Sequence, residues 1–215
     1  MMKALIKKEF QLCFSPVFCV YILLALLVLI PNYPLGVGTA FAFQAVFLYF
    51  NMSRVNRDEE FSLTLPVTRS QIARAKMIVT LIIQGAHLLL CVLAALVANL
   101  VLHTTGIFLR PNAAFFGINL FGFAVANAVF LPLVFRRLSK PGLPLVYGLL
   151  CFAAIYLTFE LLVILVPAVR VSLDGFAPET LWIRLVTLGA GLIAYAVSFL
   201  LCFFKVSENF DEVHP

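Results

Sequence analysis

The sequence predicts an all-α integral membrane protein, with six transmembrane helices and an amphipathic N-terminal helix on the cytoplasmic side. Three observations carry that prediction. Of 215 residues, 63% are hydrophobic and only 12% are charged, where a soluble domain has roughly 45–50% and 25%. A water-soluble globule of this length cannot hide that much apolar surface. The apolar residues are also gathered into six runs, without the strict alternation of a barrel. A soluble enzyme, a disordered tail and a secreted disulfide scaffold are therefore excluded.

The elements follow in order. Residues 1–14 place Met2, Leu5, Ile6, Phe10 and Cys13 on one helical face and Lys3, Lys7, Lys8 and Gln11 on the other. This predicts a helix lying along the inner leaflet with its lysines toward headgroups. A spanning helix needs about 20 apolar residues. The runs that meet or approach that length are 16–30, 35–52, 77–102, 113–135, 143–167 and 181–204. Within one transmembrane domain over residues 1–215, they must be helices, because an open strand cannot satisfy its backbone in lipid.

The first run is short, and fifteen residues reach only ~22 Å. Ser15 and Pro16 read as an N-cap followed by proline at the first helical position. Pro31 and Pro34 bound a tight turn that pairs the first two spans antiparallel. No small-x-small cleavage site ends the first run, so it reads as retained rather than as a signal peptide. The tail, 206–215, is acidic and expected to fray.

Orientation comes from the basic residues. With both termini inside, twelve of the fifteen lysines and arginines fall on the cytoplasmic side, Arg136, Arg137, Lys140 and Lys205 among them. Only Arg110, Arg170 and Arg184 fall outside, a strong positive-inside bias. Cys13, Cys19, Cys91, Cys151 and Cys202 are scattered through apolar sequence, with neither disulfide nor zinc spacing. They read as small buried hydrophobes, and no His/Cys/Asp/Glu group has metal spacing.

The longest polar excursion, 53–76, holds five basic and three acidic residues. Phe61, Leu63, Leu65 and Val67 are interleaved with them. Thr68 and Gln71 form a T-x-x-Q capping box, with Val67 and Ile72 placed as a hydrophobic staple. No proline interrupts 72–102, so a helix begun there runs straight into the third span as a lever. Exposed Phe and Leu beside clustered charge predict a docking surface, with Phe61 and Leu65 as anchors.

These residues carry a resemblance. Asn-Arg-Asp-Glu-Glu-Phe at 56–61, then Leu-Pro-Val-Thr-Arg-Ser-Gln-Ile at 65–72 and Ala-Lys at 75–76, are similar to the cytoplasmic hinge of ABC-2 type ABC transporter permeases. The compact six-span bacterial branch without a fused ATPase is the nearest in pattern. The resemblance implies an export permease in the bacterial cell membrane that works as a homodimer or with a related permease. It also implies a separate ABC ATPase subunit that binds ATP and magnesium. The coupling residues it implies are Arg57, Asp58, Glu59, Glu60, Phe61, Leu65, Pro66 and Arg69. This chain is expected to be no enzyme and to hold no cofactor. It contains no Gly-Lys dipeptide, and so no Walker A loop. Its other expected partner is the lipid bilayer, and no nucleic acid is expected.

Polar residues inside the spans are the remaining candidates. Glu160 is the sole acid within a span, and ionisable groups there are functional candidates by default. Its position is in the outer half of the fifth span. Gln84 and His87 lie one turn apart on the third span. Those two, with Asn119 and Asn127, read first as interhelical hydrogen-bonders. The external 168–180 segment is long enough for a short surface helix.

Two other functions match parts of the sequence. An intramembrane protease would use the Glu59-Glu60 pair, but an arginine is wanted about where Thr64 stands, and His87 is isolated. A substrate-binding membrane subunit of a vitamin importer would also have six spans. Its cytoplasmic loops are short, unlike residues 53–76.

Overall fold

The computed structural model describes residues 2–101, 108–136, 140–175 and 177–213, from 207 onward by backbone alone. Arg137, named above, lies outside them, as do residues 1, 102, 176, 214 and 215 of the ranges given above. Every described element is helical. Five helices are long and apolar enough to cross a membrane, and a sixth crossing is reached if a bent pair at the N-terminal end counts as one span. The all-α membrane class is as the composition requires.

Helix α1 (Met2–Cys13) turns through 98° into α2 (Val17–Leu23), which continues as a 3-10 segment, Leu24–Leu29. Here the expected start shifts. Pro16 itself takes the cap position, and no side chain, Ser15 included, caps the helix. Pro16 is already in the helical region at φ −52°, because its ring fixes that angle. The first predicted span is therefore two kinds of helix. The 3-10 part rises ~2.0 Å per residue rather than 1.5 Å, so thirteen residues still reach about 22 Å. The chain then reverses through Asn32, whose φ of 57° is one that asparagine tolerates well, into α3 (Leu35–Val55).

Arg57, at φ 49°, breaks the chain between α3 and the short α4 (Asp58–Leu63). Asp58, Glu59 and Glu60 occupy the first turn of α4, where carboxylates complement the helix dipole. Next comes α5 (Arg69–Leu100), one unbroken helix of 32 residues. Its capping box is as read from sequence: Gln71 N donates to Thr68 Oγ1 (3.3 Å) and Thr68 N donates to Gln71 Oε1 (3.1 Å). At ~1.5 Å per residue it extends about 48 Å, longer than the ~30 Å hydrocarbon layer.

Helices α6 (Ala113–Arg136) and α7 (Gly142–Leu165) follow, then the short α8 (Pro167–Leu173), a 3-10 turn (Pro178–Thr180) and α9 (Leu181–Val213). The tail does not fray at 206. Helix α9 carries through to Val213, since no glycine or proline interrupts 192–213. One end of the bundle, the charged end, holds α1, α4, the start of α5 and the ends of α6 and α9.

The core is aromatic. Phe43 of α3 packs on Phe123 of α6 (5.1 Å between centroids) and on Phe152 of α7 (5.8 Å). Phe50 meets Phe130 and Phe135 edge-on. Helices α6 and α9 approach more closely than side chains permit. A Cβ on Gly117 would strike the Thr187 carbonyl, and one on Gly191 would strike the Gly117 carbonyl. Outward, Leu89, Leu150, Leu157 and Ile193 are exposed, as expected where lipid is the solvent. Trp182, also exposed, begins α9, the level where tryptophan anchors to an interface.

Candidate functional site

Helix α4 has two faces with opposite roles. Its outer face presents Arg57, Glu60, Phe61 and Leu63, all exposed, with Arg57 and Glu60 loosely paired at 3.8 Å. Pro66 is also exposed, while Glu59, Leu65 and Arg69 are half-buried. The outer surface is thus a phenylalanine and a leucine framed by charge. Asp58 departs from the rest of the predicted coupling set. It is fully buried, as is Ser62 one turn on, so it holds the helix in place and presents no charge outward.

The buried face of α4 closes a cluster of two lysines and two carboxylates. Lys76, wholly inaccessible on α5, bonds Asp58 Oδ2 (2.5 Å), Ser53 Oγ (2.7 Å) and Glu9 Oε2 (3.1 Å). Lys8 pairs with Asp58 Oδ1 (2.7 Å) and Glu9 Oε1 (2.9 Å) and donates to Ser62 Oγ (2.5 Å). Tyr49 of α3 donates its hydroxyl proton to Glu9 Oε2 (2.6 Å). Asn56 ties the neighbouring loop to the end of α1 through the Leu12 carbonyl (2.5 Å). Four helices therefore meet at one charge-balanced point. Such a cluster adds little net stability over apolar packing, but losing one member is costly, because the rest stay buried and unpaired.

Electrostatics follow from the geometry. Burial pulls the Asp58 carboxyl upward, but the charges and hydrogen bonds of Lys76 and Lys8 outweigh it and hold the group below its usual range. Burial pushes the Cys13 thiol up to about 12, against the pull of Lys76.

This cluster corrects two expectations. Lys8 does not face headgroups with Lys3 and Lys7, because it turns inward onto two carboxylates. The structure also gathers a His/Cys/Asp/Glu group that sequence spacing did not show: ligand atoms of Glu9, Cys13 and Asp58 lie within 4.8 Å of one another. The Lys76 ammonium already supplies positive charge between the two acids. A thiol held protonated is also a poor ligand, so the group reads as an ion cluster.

Sequence reasoning passed over Glu9, Tyr49 and Ser53, and counted Lys76 only as a helix-start lysine. A signal existed. Leu5, Glu9 and Cys13 recur every four residues and are the buried positions of α1. An acid on the apolar stripe of an amphipathic helix needs a cation to meet it.

The intramembrane polar candidates do not form one site. Gln84 and Asn127 exchange two amide hydrogen bonds of 2.9 Å, and Tyr195 donates to Gln84 at 2.8 Å, joining α5, α6 and α9. His87 instead lies 3.0 Å from the Gly38 carbonyl of α3. Asn119 accepts from Thr39 (2.5 Å) and donates to the Phe115 carbonyl (2.8 Å). Glu160, at the end opposite the cluster, accepts from the backbone N–H of Leu109 (3.1 Å) and from the Tyr156 hydroxyl. Nearby, Asp174 accepts from the N–H of Arg110 (2.7 Å). Glu160 thus fastens a loop.

A family model described as ABC-2 family transporter protein matches residues 4–207. No curated protein and no solved structure matches the chain.

Proposed function

Because the chain belongs to the ABC-2 family of transporter membrane proteins, and so has a permease role, we propose that it is the export permease of an ATP-driven transporter. A separate ABC ATPase, binding ATP and magnesium, docks on the outer face of α4 through Arg57, Glu60 and Phe61, flanked by Glu59, Leu65, Pro66 and Arg69. The transporter sits in the bacterial cell membrane with both termini cytoplasmic, in keeping with the basic bias of that side. Two permease chains, identical or related, complete it.

One observation carries the reading. Helix α4 is exposed on one face and clamped by charge on the other, through Asp58, to α5 and α1. A push on Phe61 therefore cannot be absorbed by α4 alone. It passes into α5, whose 32 residues continue into the membrane, and into α1. The buried cluster makes the three helices move as one body, which is what converting closure of an ATPase pair into helix tilt needs.

The test is copurification of the ATPase in mild detergent, with every partner identified by mass spectrometry. Glu60→Lys and Phe61→Asp, both at exposed positions, should abolish ATPase association while expression stays unchanged. Association that survives both changes refutes the docking assignment.

A further inference from the structure

A groove of about 420 Å³ runs between α6 and α9 on the lateral surface, lined from Phe121 to Pro132 on one helix and from Ala194 to Lys205 on the other. We propose that it binds one acyl chain of an anionic phospholipid, with the phosphate held at Lys205.

Length identifies the occupant. Eleven helical rises on each wall give ~16 Å, about half of the ~30 Å hydrocarbon layer. The groove is one leaflet deep. An acyl chain fits that depth and the apolar lining. The floor also accepts only apolar matter. Ser198 spends its hydroxyl proton on the Ala124 carbonyl (2.6 Å), and the Cys202 thiol lies 3.7 Å from the Asn127 carbonyl.

Charge identifies the headgroup. Lys205 closes the groove at the charged end of the bundle and is exposed. Arg136, also exposed, lies one turn beyond Pro132 on α6 and adds a second cation at that level. A lysine near an anionic surface favours an acidic lipid by about fivefold. The proposal does not depend on how α4 is used.

The experiment reconstitutes the protein in nanodiscs of equal phosphatidylglycerol and phosphatidylcholine, then weighs it by native mass spectrometry. One phosphatidylglycerol per chain should remain bound in preference to phosphatidylcholine. Lys205→Gln, an exposed change that leaves the fold alone, should lower that preference about fivefold. Ala128→Trp, which fills the groove, should remove bound lipid of both kinds, while Leu192→Trp on an exposed face of α9 should not. An unchanged lipid preference in Lys205→Gln overturns the proposal. So does full lipid retention in Ala128→Trp, or an oligomer that dissociates in that variant without losing lipid, since a second chain would then occupy the groove.

Discussion

Replacing Lys76 with methionine tests the cluster directly. The variant keeps the stem and its packing but removes the ammonium that bonds Asp58, Ser53 and Glu9 at 2.5, 2.7 and 3.1 Å. Two buried carboxylates then share Lys8 alone. Breaking a buried pair by deleting one partner costs about 3–5 kcal/mol. The lower end applies, because Lys8 still reaches both acids, at 2.7 and 2.9 Å. A loss of ~3 kcal/mol makes local opening of the α1–α4–α5 junction more than about a hundredfold more frequent. Cys13 reports it, being fully buried one turn from Glu9. In a background where Cys19, which is exposed and not buried as its apolar setting suggested, and Cys151, which is half-buried, are serine, a maleimide should label Cys13 about a hundredfold faster than in the parent. Cys91, buried farther along α5, should keep its rate. Adding Asp58→Asn should recover at least about tenfold, because the remaining Lys8–Glu9 pair is again neutral. Unchanged Cys13 labelling would refute the reasoning. So would equal acceleration at Cys13 and Cys91, which means that the fold was lost as a whole.

Two further outcomes are expected. The Asp58 carboxyl titrates below its unfolded value, so its stabilisation is complete above about pH 4 and is lost as pH falls through the folded value. Hydrogen exchange of α1 amides, corrected for intrinsic rate, should therefore be faster at pH 3 than at pH 6, and equal protection at both would contradict the ion cluster. Gly117→Ala should lower thermal stability in detergent by about 1–3 kcal/mol or more, because the new methyl meets the Thr187 backbone, which cannot rotate aside. Gly189→Ala, with nothing within 4 Å of its added Cβ, should be neutral or slightly stabilising. Equal effects at the two glycines would deny the close approach of α6 and α9.

Much of this protein was legible without coordinates. Membrane residence, helical class and the approximate spans come from composition and run length, because lipid forbids unpaired backbone and leaves the helix as the natural way across. The capping box at Thr68 and the unbroken α5 are also local, since each depends on residues a few positions apart. That α4 exists as a separate helix behind Arg57 was not legible, because a positive φ at arginine is set by the packing around it.

What the tertiary structure alone decided is which charges meet. Glu9, Asp58 and Lys76 lie 49 and 18 residues apart along the chain, and no local rule pairs them. The partner of a buried charge is chosen by how four helix ends converge, and it is compulsory only after water has been removed from all of them. For the same reason Asp58 and Glu59, adjacent in sequence, came to differ: one turns inward to lysine and the other stays at the half-exposed edge. Position along the chain settled that this region is charged and amphipathic. Packing settled which acid holds the helix and which side chains are left to greet a partner.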